Sequence, residues 1–278
     1  MFTISDIKGS VLLNNGVSMP YLGLGVYKME NNQEVQSSID FALKHGYRLI
    51  DTAALYYNES GVGHSIRNSG IARDQIFVTT KVWNSNQGYD STLRAFDESI
   101  AKLKLDYIDL YLIHWPVKDK YKETWRALEK IYAEKRVHAI GISNFLEHHI
   151  KDLFNSAHIK PMVNQIEFHP RLVQQPLLDF CQKEQIVIQS WSPLMQGKYS
   201  QITELSAIAE KYQKTVPQII LRWNLQKGVA TIPKSSNPQR IIENANIFDF
   251  AISAQDMAFI DNLDKHQRIG ADPDNFDF

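Results

Sequence analysis

Apolar runs of strand length recur along this chain, each followed by helical periodicity, and that alternation restricts the architecture more than any other feature. Strand candidates fall at Leu22 to Val26, Arg48 to Thr52, Ile76 to Val82, Ile108 to His114, Ala139 to Ser143, Met162 to Phe168, Ile186 to Trp191 and Val229 to Pro233. After the first, Val35, Ile39, Phe41 and Ala42 recur at helical spacing and lead to His45-Gly46, where the glycine suits a helix stop. Helix candidates then lie near 59–69, 90–104, 122–136, 146–157, 174–184, 202–212 and 215–228, with 238–247 after the last strand. Several strand runs are continuously apolar rather than alternating, as in strands covered on both faces. Eight such units in 278 residues match one (β/α)8 TIM barrel. A doubly wound sheet would usually need fewer units or a second domain. No Gly/Ser/Pro-rich linker interrupts the pattern, so residues 1–278 read as a single domain. Upstream, Val11-Leu12-Leu13, Asn14-Asn15-Gly16 and Val17-Ser18-Met19-Pro20 predict a β-hairpin capping the barrel bottom. Ala254 to Leu263 adds an extra C-terminal helix.

Charge narrows the partner. The chain carries 31 acidic against 30 basic residues and no polybasic run, which argues against a nucleic-acid or anionic membrane surface and for a small neutral or anionic ligand. Cys181 is the sole cysteine and has no intramolecular partner, so it reads as a buried, inert thiol in a reducing compartment. The N-terminal Met1-Phe2-Thr3-Ile4-Ser5-Asp6 shows no basic region followed by an apolar core, and no run reaches the roughly 18 apolar residues of a membrane span. These features predict a soluble cytoplasmic protein. Gly23 and Gly25 do not open a dinucleotide fingerprint, because the third glycine would fall at Lys28 and no helix begins there.

In a barrel of this kind the C-terminal strand ends converge on one mouth. Asp51 closes the second strand and Tyr56 follows it; Lys81 lies near the end of the third and His114 ends the fourth. Taken singly, Asp51 reads as a helix cap, Tyr56 as loop packing and His114 as a core histidine. A lysine in an apolar strand needs a carboxylate, and Asp51 is on the neighbouring strand. The joint arrival of a phenol and an imidazole favours a catalytic site. Tyrosine titrates near pH 10 and donates a proton poorly unless a cation favours its phenolate. A lysine at about 4 Å, worth up to roughly 4 kcal/mol at an effective dielectric near 20, would lower that pKa by about two to three. Such a set can protonate a carbonyl oxygen as hydride reaches its carbon.

Seven motifs in order resemble the aldo-keto reductases: Gly46-Tyr47-Arg48 with Asp51-Thr52-Ala53, Lys81-Val82-Trp83, Leu112-Ile113-His114-Trp115-Pro116, Gly141-Ile142-Ser143-Asn144-Phe145, Asn164-Gln165-Ile166-Glu167-Phe168-His169-Pro170, Ser192-Pro193-Leu194 and Ile232-Pro233-Lys234-Ser235. The tail Asn275-Phe276-Asp277-Phe278 is most similar to the bacterial branch of diketogluconate and methylglyoxal (glyoxal) reductases. The resemblance implies NADPH-dependent reduction of aldehydes and ketones by a monomer, with Asp51, Tyr56, Lys81 and His114 as the catalytic tetrad. It further implies that Ser143, Asn144 and Gln165 hold the nicotinamide carboxamide and that Trp191 stacks on its ring. Ser192 and Leu194 resemble the pyrophosphate loop. Lys234, Ser235, Ser236, Asn237 and Arg240 resemble the 2′-phosphate clamp, and Glu243 and Asn244 the adenine contacts. Tyr27, Trp83 and Trp115, with His114, line up with the substrate pocket.

No metal is expected: His-Glu-x-x-His and paired-cysteine spacings are absent, and the rings of His148 and His149, adjacent on a helix, are expected to face different ways in solvent. A glycosidase using Asp51 with Glu167 or Glu59 is a rival reading, but it leaves Lys81, Tyr56 and the segment from Lys234 to Arg240 without a role. A non-catalytic NADPH-binding sensor or scaffold barrel is a second.

Overall fold

The computed structural model describes residues 3–31 and 33–278; Met1, Phe2 and Asn32, and so the start of the N-terminal stretch read above, lie outside the described residues. The chain opens with an antiparallel hairpin, β1 (Ser10–Leu12) and β2 (Ser18–Pro20). The side chain of Asn14 donates to the carbonyls of Pro161 and Gln185, and that of Asn15 to His138. Two of these carbonyls precede later barrel strands and the third lies at the start of one, so the hairpin sits across the barrel's N-terminal end, with Leu13 and Met19 buried beneath it.

Eight parallel strands follow: β3 (Leu24–Gly25), β4 (Leu49–Asp51), β5 (Phe77–Val82), β6 (Ile108–Ile113), β7 (Val137–Ser143), β8 (Val163–Glu167), β9 (Val187–Trp191) and β10 (Ala230–Thr231). Each pairs with its sequence neighbour. The ring closes where Leu22 bridges Thr231 and Gly25 bridges Lys234, with the Gly23 N–H on the Thr231 carbonyl at 2.9 Å and the Thr231 N–H on that of Tyr21 at 2.7 Å. A side chain at Gly25 would put its Cβ 2.8 Å from the Ile232 carbonyl oxygen, so this seam needs glycine. The seam strands are short, and the expected Leu22 to Val26 and Val229 to Pro233 extend beyond them because isolated bridges complete the pairing there.

Around the ring lie α1 (Gln33–Lys44), α2 (Glu59–Asn68), α3 (Tyr89–Leu103), α4 (Tyr121–Ala133), α5 (Glu147–Phe154), α6 (Gln175–Lys183), α7 (Glu204–Tyr212), α8 (Val216–Gln226) and α9 (Pro238–Ala245). Thr215 and Gln218 form a reciprocal capping box that starts α8, with Pro217 in its first turn. That helix is buried almost all round, because α10 (Ala254–Asp261) lies outside it and Asp261 accepts the indole N–H of its Trp223 at 2.8 Å. Alternate residues of β5 and β6 face the barrel interior and the helical layer, which is why both strands are buried along their whole length.

The α2 helix continues the loop that carries Tyr56, and it is set against the end of α3 by a close backbone approach at Gly63. A Cβ there would lie 1.9 Å from the Leu103 carbonyl oxygen, an atom that cannot move aside without shifting the helix. Overpacking costs typically 1–3 kcal/mol, so Gly63→Ala is expected to lower unfolding free energy by about 2 kcal/mol or more. Urea denaturation checks this; a wild-type midpoint would show that the two helices are free to separate.

Candidate active site

Asp51 ends β4 and Lys81 is the penultimate residue of β5, and both side chains are buried inside the barrel. The Lys81 ammonium donates to Asp51 Oδ1 at 2.7 Å and to the Thr52 carbonyl at 2.8 Å. Gln165, on β8, donates its amide to the other Asp51 oxygen at 2.7 Å and to Gln189 Oε1 at 2.8 Å. Burial pushes the Asp51 carboxyl up and the Lys81 ammonium down, and each partner's charge opposes the other's shift. Hydrogen bonds to both members favour the charged pair.

Tyr56 closes a single 3-10 turn, Ala54–Tyr56, after which Tyr57 takes a left-handed backbone with φ 55°. Its ring lies 5.1 Å from the Lys81 ammonium, 4.9 Å from the Tyr27 ring and 5.9 Å, edge-on, from His114. The expectation that Lys81 lowers the phenol's pKa is corrected here. Burial first, then the charge of Asp51 and the neighbouring Tyr27, hold it well above its ordinary value. His114 follows β6, with its N–H on the Val82 carbonyl and its ring edge-on to Trp83 at 5.0 Å. Burial and the nearby Lys81 push the imidazole well below its ordinary range, so the ring is neutral at pH 7.

Asn144 joins three strand ends. Its amide nitrogen donates to the His114 carbonyl at 2.9 Å and to Ser143 Oγ at 3.2 Å, and its oxygen accepts the Trp191 indole N–H at 2.8 Å. A left-handed φ of 65° permits this, a conformation asparagine tolerates. Ser143 in turn donates to the Gln165 carbonyl at 2.8 Å.

These groups open into a cleft of ≈ 1170 Å³. The cleft is lined by Asp51, Tyr56 and His114 with Tyr27, Trp83 and Trp115, by Ser143, Asn144, Gln165 and Trp191, and by Ser192 and Leu194. Lys234, Ser235, Ser236, Asn237, Arg240, Glu243 and Asn244 line it as well. Of the residues the resemblance assigns to the site, only Lys81 is not on the wall; it lies beneath, fully buried. Asn237 caps α9 by accepting the Arg240 N–H at 3.1 Å, and Pro238 starts the helix. Arg240 is exposed and forms no ion pair among the described residues. A helix N-terminus flanked by Lys234 and Arg240 suits a phosphate, and the Trp191 indole, pinned through its N–H, offers a fixed flat face. The residues fit a phosphorylated dinucleotide.

Sequence reasoning missed part of the cleft. The turn Met195–Gln201 carries left-handed Gln196 and Gly197 along one side, and Gly270, Ala271 and Phe278 come from the tail. Phe278 stacks on Trp83 at 5.8 Å with planes 4° apart, and Phe276 packs on Trp115 at 5.1 Å. The aromatic tail was the available signal, but it has no periodicity to place it.

The rival carboxylates do not face Asp51. Glu59 bonds to Thr80 in the helical layer at 2.7 Å, and Glu167 is occupied by His169 and by tail N–H groups. The expectation for His148 and His149 is also corrected: their rings lie 4.0 Å apart and both Nε2 atoms reach Asp274 Oδ1, at 2.8 and 3.3 Å. His149 is largely buried, and desolvation, with the charge of His148, pushes its pKa to about 4. Its Nδ1 accepts the Leu146 N–H, which leaves the ring proton on Nε2, the nitrogen 3.3 Å from Asp274 Oδ1.

The model of the Aldo/keto reductase family matches residues 21–265. Glyoxal reductase of Bacillus subtilis is 57% identical over 274 residues, 99% of each chain. Among solved structures, an aldo-keto reductase from a Medee basin deep-sea metagenome library is 44% identical with a TM-score of 0.94, over 97% of this chain and 100% of that one. An aldo-keto reductase of Bombyx mori in complex with NADP is 36% identical with a TM-score of 0.90, over 98% and 97%.

Removing one member of a buried ion pair strands the other, which typically costs about 3–5 kcal/mol, whereas replacing both with apolar groups costs little. Lys81→Met is therefore expected to destabilise the protein by about that amount, and the double variant Lys81→Met/Asp51→Leu to recover much of it. Denaturant unfolding of the three variants checks the coupling; additive losses would mean that the two side chains act independently.

Proposed function

Because the chain belongs to the aldo/keto reductase family and is an NADPH-dependent oxidoreductase that reduces aldehydes and ketones, we propose that Tyr56 is its general acid and that Asp51, Lys81 and His114 complete its catalytic set. The observation that carries this reading is a half-buried phenol, its pKa raised, whose ring faces an ammonium held by a carboxylate, beside a neutral imidazole, in a cleft also lined by Lys234 and Arg240. NADPH bound in that cleft supplies the hydride. Ser143, Asn144 and Gln165 orient the carboxamide, and Trp191 backs the ring. Ser192 and Leu194 border the pyrophosphate, Lys234, Ser235, Ser236, Asn237 and Arg240 take the 2′-phosphate, and Glu243 and Asn244 meet the adenine.

Tyr56 gives its proton to the carbonyl oxygen as that oxygen gains charge. Lys81 then faces a phenolate, an interaction absent from the resting state and therefore able to lower the barrier. Asp51 keeps the ammonium in place, and neutral His114 donates an N–H that orients the oxygen.

The aromatic wall of Tyr27, Trp83 and Trp115, closed by Phe276 and Phe278, suits small carbonyls. The similarity to glyoxal reductase supports α-dicarbonyls within that class, with keto-sugars a further possibility. Among the described residues no helix is long and apolar enough to cross a membrane, and Cys181 is a buried thiol whose pKa is raised to about 12 by desolvation. The buried thiol supports a reducing compartment such as the cytoplasm, and a monomer rests on the family resemblance alone.

Tyr56→Phe is expected to retain NADPH affinity and to lose about 10²- to 10⁴-fold in carbonyl reduction. A variant with near-normal kcat would remove Tyr56 from its role. The wild-type kcat/KM profile tests the same assignment. A raised phenol pKa keeps the donor protonated through neutrality and loses it only as pH rises through that value; a lowered histidine pKa keeps the ring neutral above that value. No limb is expected near pH ~6.5, the ordinary histidine value; one that disappears in His114→Gln would show a titrating imidazole.

Charge-assisted hydrogen bonds are worth about 1.5–3 kcal/mol each, so Arg240→Ala is expected to weaken NADPH by roughly ten- to a hundredfold while sparing NADH. Equal losses in a binding titration with each cofactor would show that Arg240 does not read the 2′-phosphate.

A further inference from the structure

Glu167, the last residue of β8, is a fully buried carboxylate for which the proton transfer above has no use. A buried charge is costly unless several donors meet it. Three do: His169 Nε2 at 3.0 Å, the Ile269 N–H at 2.6 Å and the Gly270 N–H, shared between both oxygens at 3.3 and 3.2 Å. Two of the three belong to main chain more than 100 residues downstream, so what this carboxylate holds is the start of the tail.

The tail begins against the cofactor-stacking position. A Cβ on Gly270 would lie 2.5 Å from Trp191 Cη2 and 3.5 Å from Glu167 Oε2. The indole is therefore bounded on two sides, by Asn144 at its N–H and by the Gly270 backbone at its far edge. Beyond Gly270 the tail crosses the cleft mouth. It is tied at Asp274 to His148 and His149, and at the Phe278 carbonyl to the Asn84 amide at 2.9 Å, and it lays Phe276 and Phe278 on Trp115 and Trp83. One buried side chain thus fixes both the edge of the stacking ring and the point from which the outer wall of the carbonyl pocket departs.

We propose that Glu167 is a positioning residue that couples the two halves of the cleft, setting the Trp191 ring for the nicotinamide and the tail for the carbonyl substrate. This rests on the reading that Trp191 stacks on the nicotinamide. Glutamine cannot replace the carboxylate: its amide offers one acceptor oxygen to three donors and turns an NH2 toward the rest.

The test uses the whole chain carrying Glu167→Gln. NADPH dissociation constant, carbonyl KM and kcat, and the rate of chymotryptic cleavage after Phe276 in the tail are measured at a temperature where circular dichroism shows the fold intact. Loss of one charge-assisted bond corresponds to about tenfold or more. The expected result is a rise of about that size in both Kd and KM, faster tail cleavage, and kcat within about twofold of wild type, since the reacting groups are untouched. A lowered melting temperature with wild-type Kd, KM and cleavage overturns the proposal and leaves Glu167 a stabilising residue only. Gly270→Ala keeps the carboxylate and crowds the indole directly, so it decides the matter if the first variant does not fold: a wild-type Kd there overturns the coupling. Cofactor binding and cleavage require no turnover, so a wild-type protein that binds NADPH and reduces no carbonyl would sink the function without deciding this inference.

Discussion

The buried pair of Lys81 and Asp51 is the constraint from which the rest of the mouth follows. Two opposite charges in the barrel interior cost several kcal/mol each to desolvate, and their attraction offsets that only when the remaining hydrogen-bonding positions are filled. The positions are filled by groups on different walls of the ring: the Thr52 carbonyl beside β4 and the Gln165 amide from β8, four strands away. The second bond crosses the barrel, so it exists only if the ring closes with the correct circumference. Closure in turn depends on the Gly25 seam, where any side chain would strike the Ile232 carbonyl. Fold and site are therefore specified by one set of contacts.

Around that centre the molecule divides its labour by rigidity. In the proposed assignment the groups that hold or move a proton stand at or near strand ends whose backbone bonds are satisfied in the ring, whereas much of the remaining cleft wall comes from the Met195–Gln201 turn, the α9 terminus and the tail. Sites on regular elements hold geometry more closely than sites on loops, and loops tolerate variation that changes what fits. Asn144 links the two classes, since it touches His114, Ser143 and Trp191 together. A change there would disturb the His114 backbone, Ser143 and the Trp191 ring at once.

What was legible in the sequence is what depends on local pattern. A strand covered on both faces leaves a continuous apolar run wherever it pairs, so the eight units could be counted; a lysine within such a run demanded a carboxylate, and Asp51 was the nearest. The cluster from Lys234 to Arg240 was visible because it is contiguous. What depends on desolvation or on rotamers was not. Neighbouring charges can be named from sequence, but the burial that raises the Tyr56 phenol cannot. Adjacent helical residues point apart on a bare helical wheel, yet the side chains of His148 and His149 fold together onto Asp274, a partner supplied by distant chain. Glu167 looked like half of a carboxylate pair because nothing local reveals that tail N–H groups consume it.

The raised phenol pKa changes how Lys81 must be understood. Were the ammonium there to ionise Tyr56 at rest, the protein would hold a phenolate, which cannot donate a proton to a carbonyl. Burial keeps the resting phenol intact instead, and Asp51 reinforces this by opposing a second negative charge. In the proposed role, hydride arrival would make the carbonyl oxygen an alkoxide, a far stronger base than a phenolate, so even a weakened phenol would give up its proton favourably. Only then does negative charge spread over the Tyr56 ring, whose centre lies 5.1 Å from the ammonium. At an effective dielectric near 20 that contact is worth about 3 kcal/mol, or roughly a hundredfold in rate if fully developed at the transition state. Lys81 thus acts on the difference between the two states, and the resting titration of Tyr56 is not a measure of its contribution to catalysis.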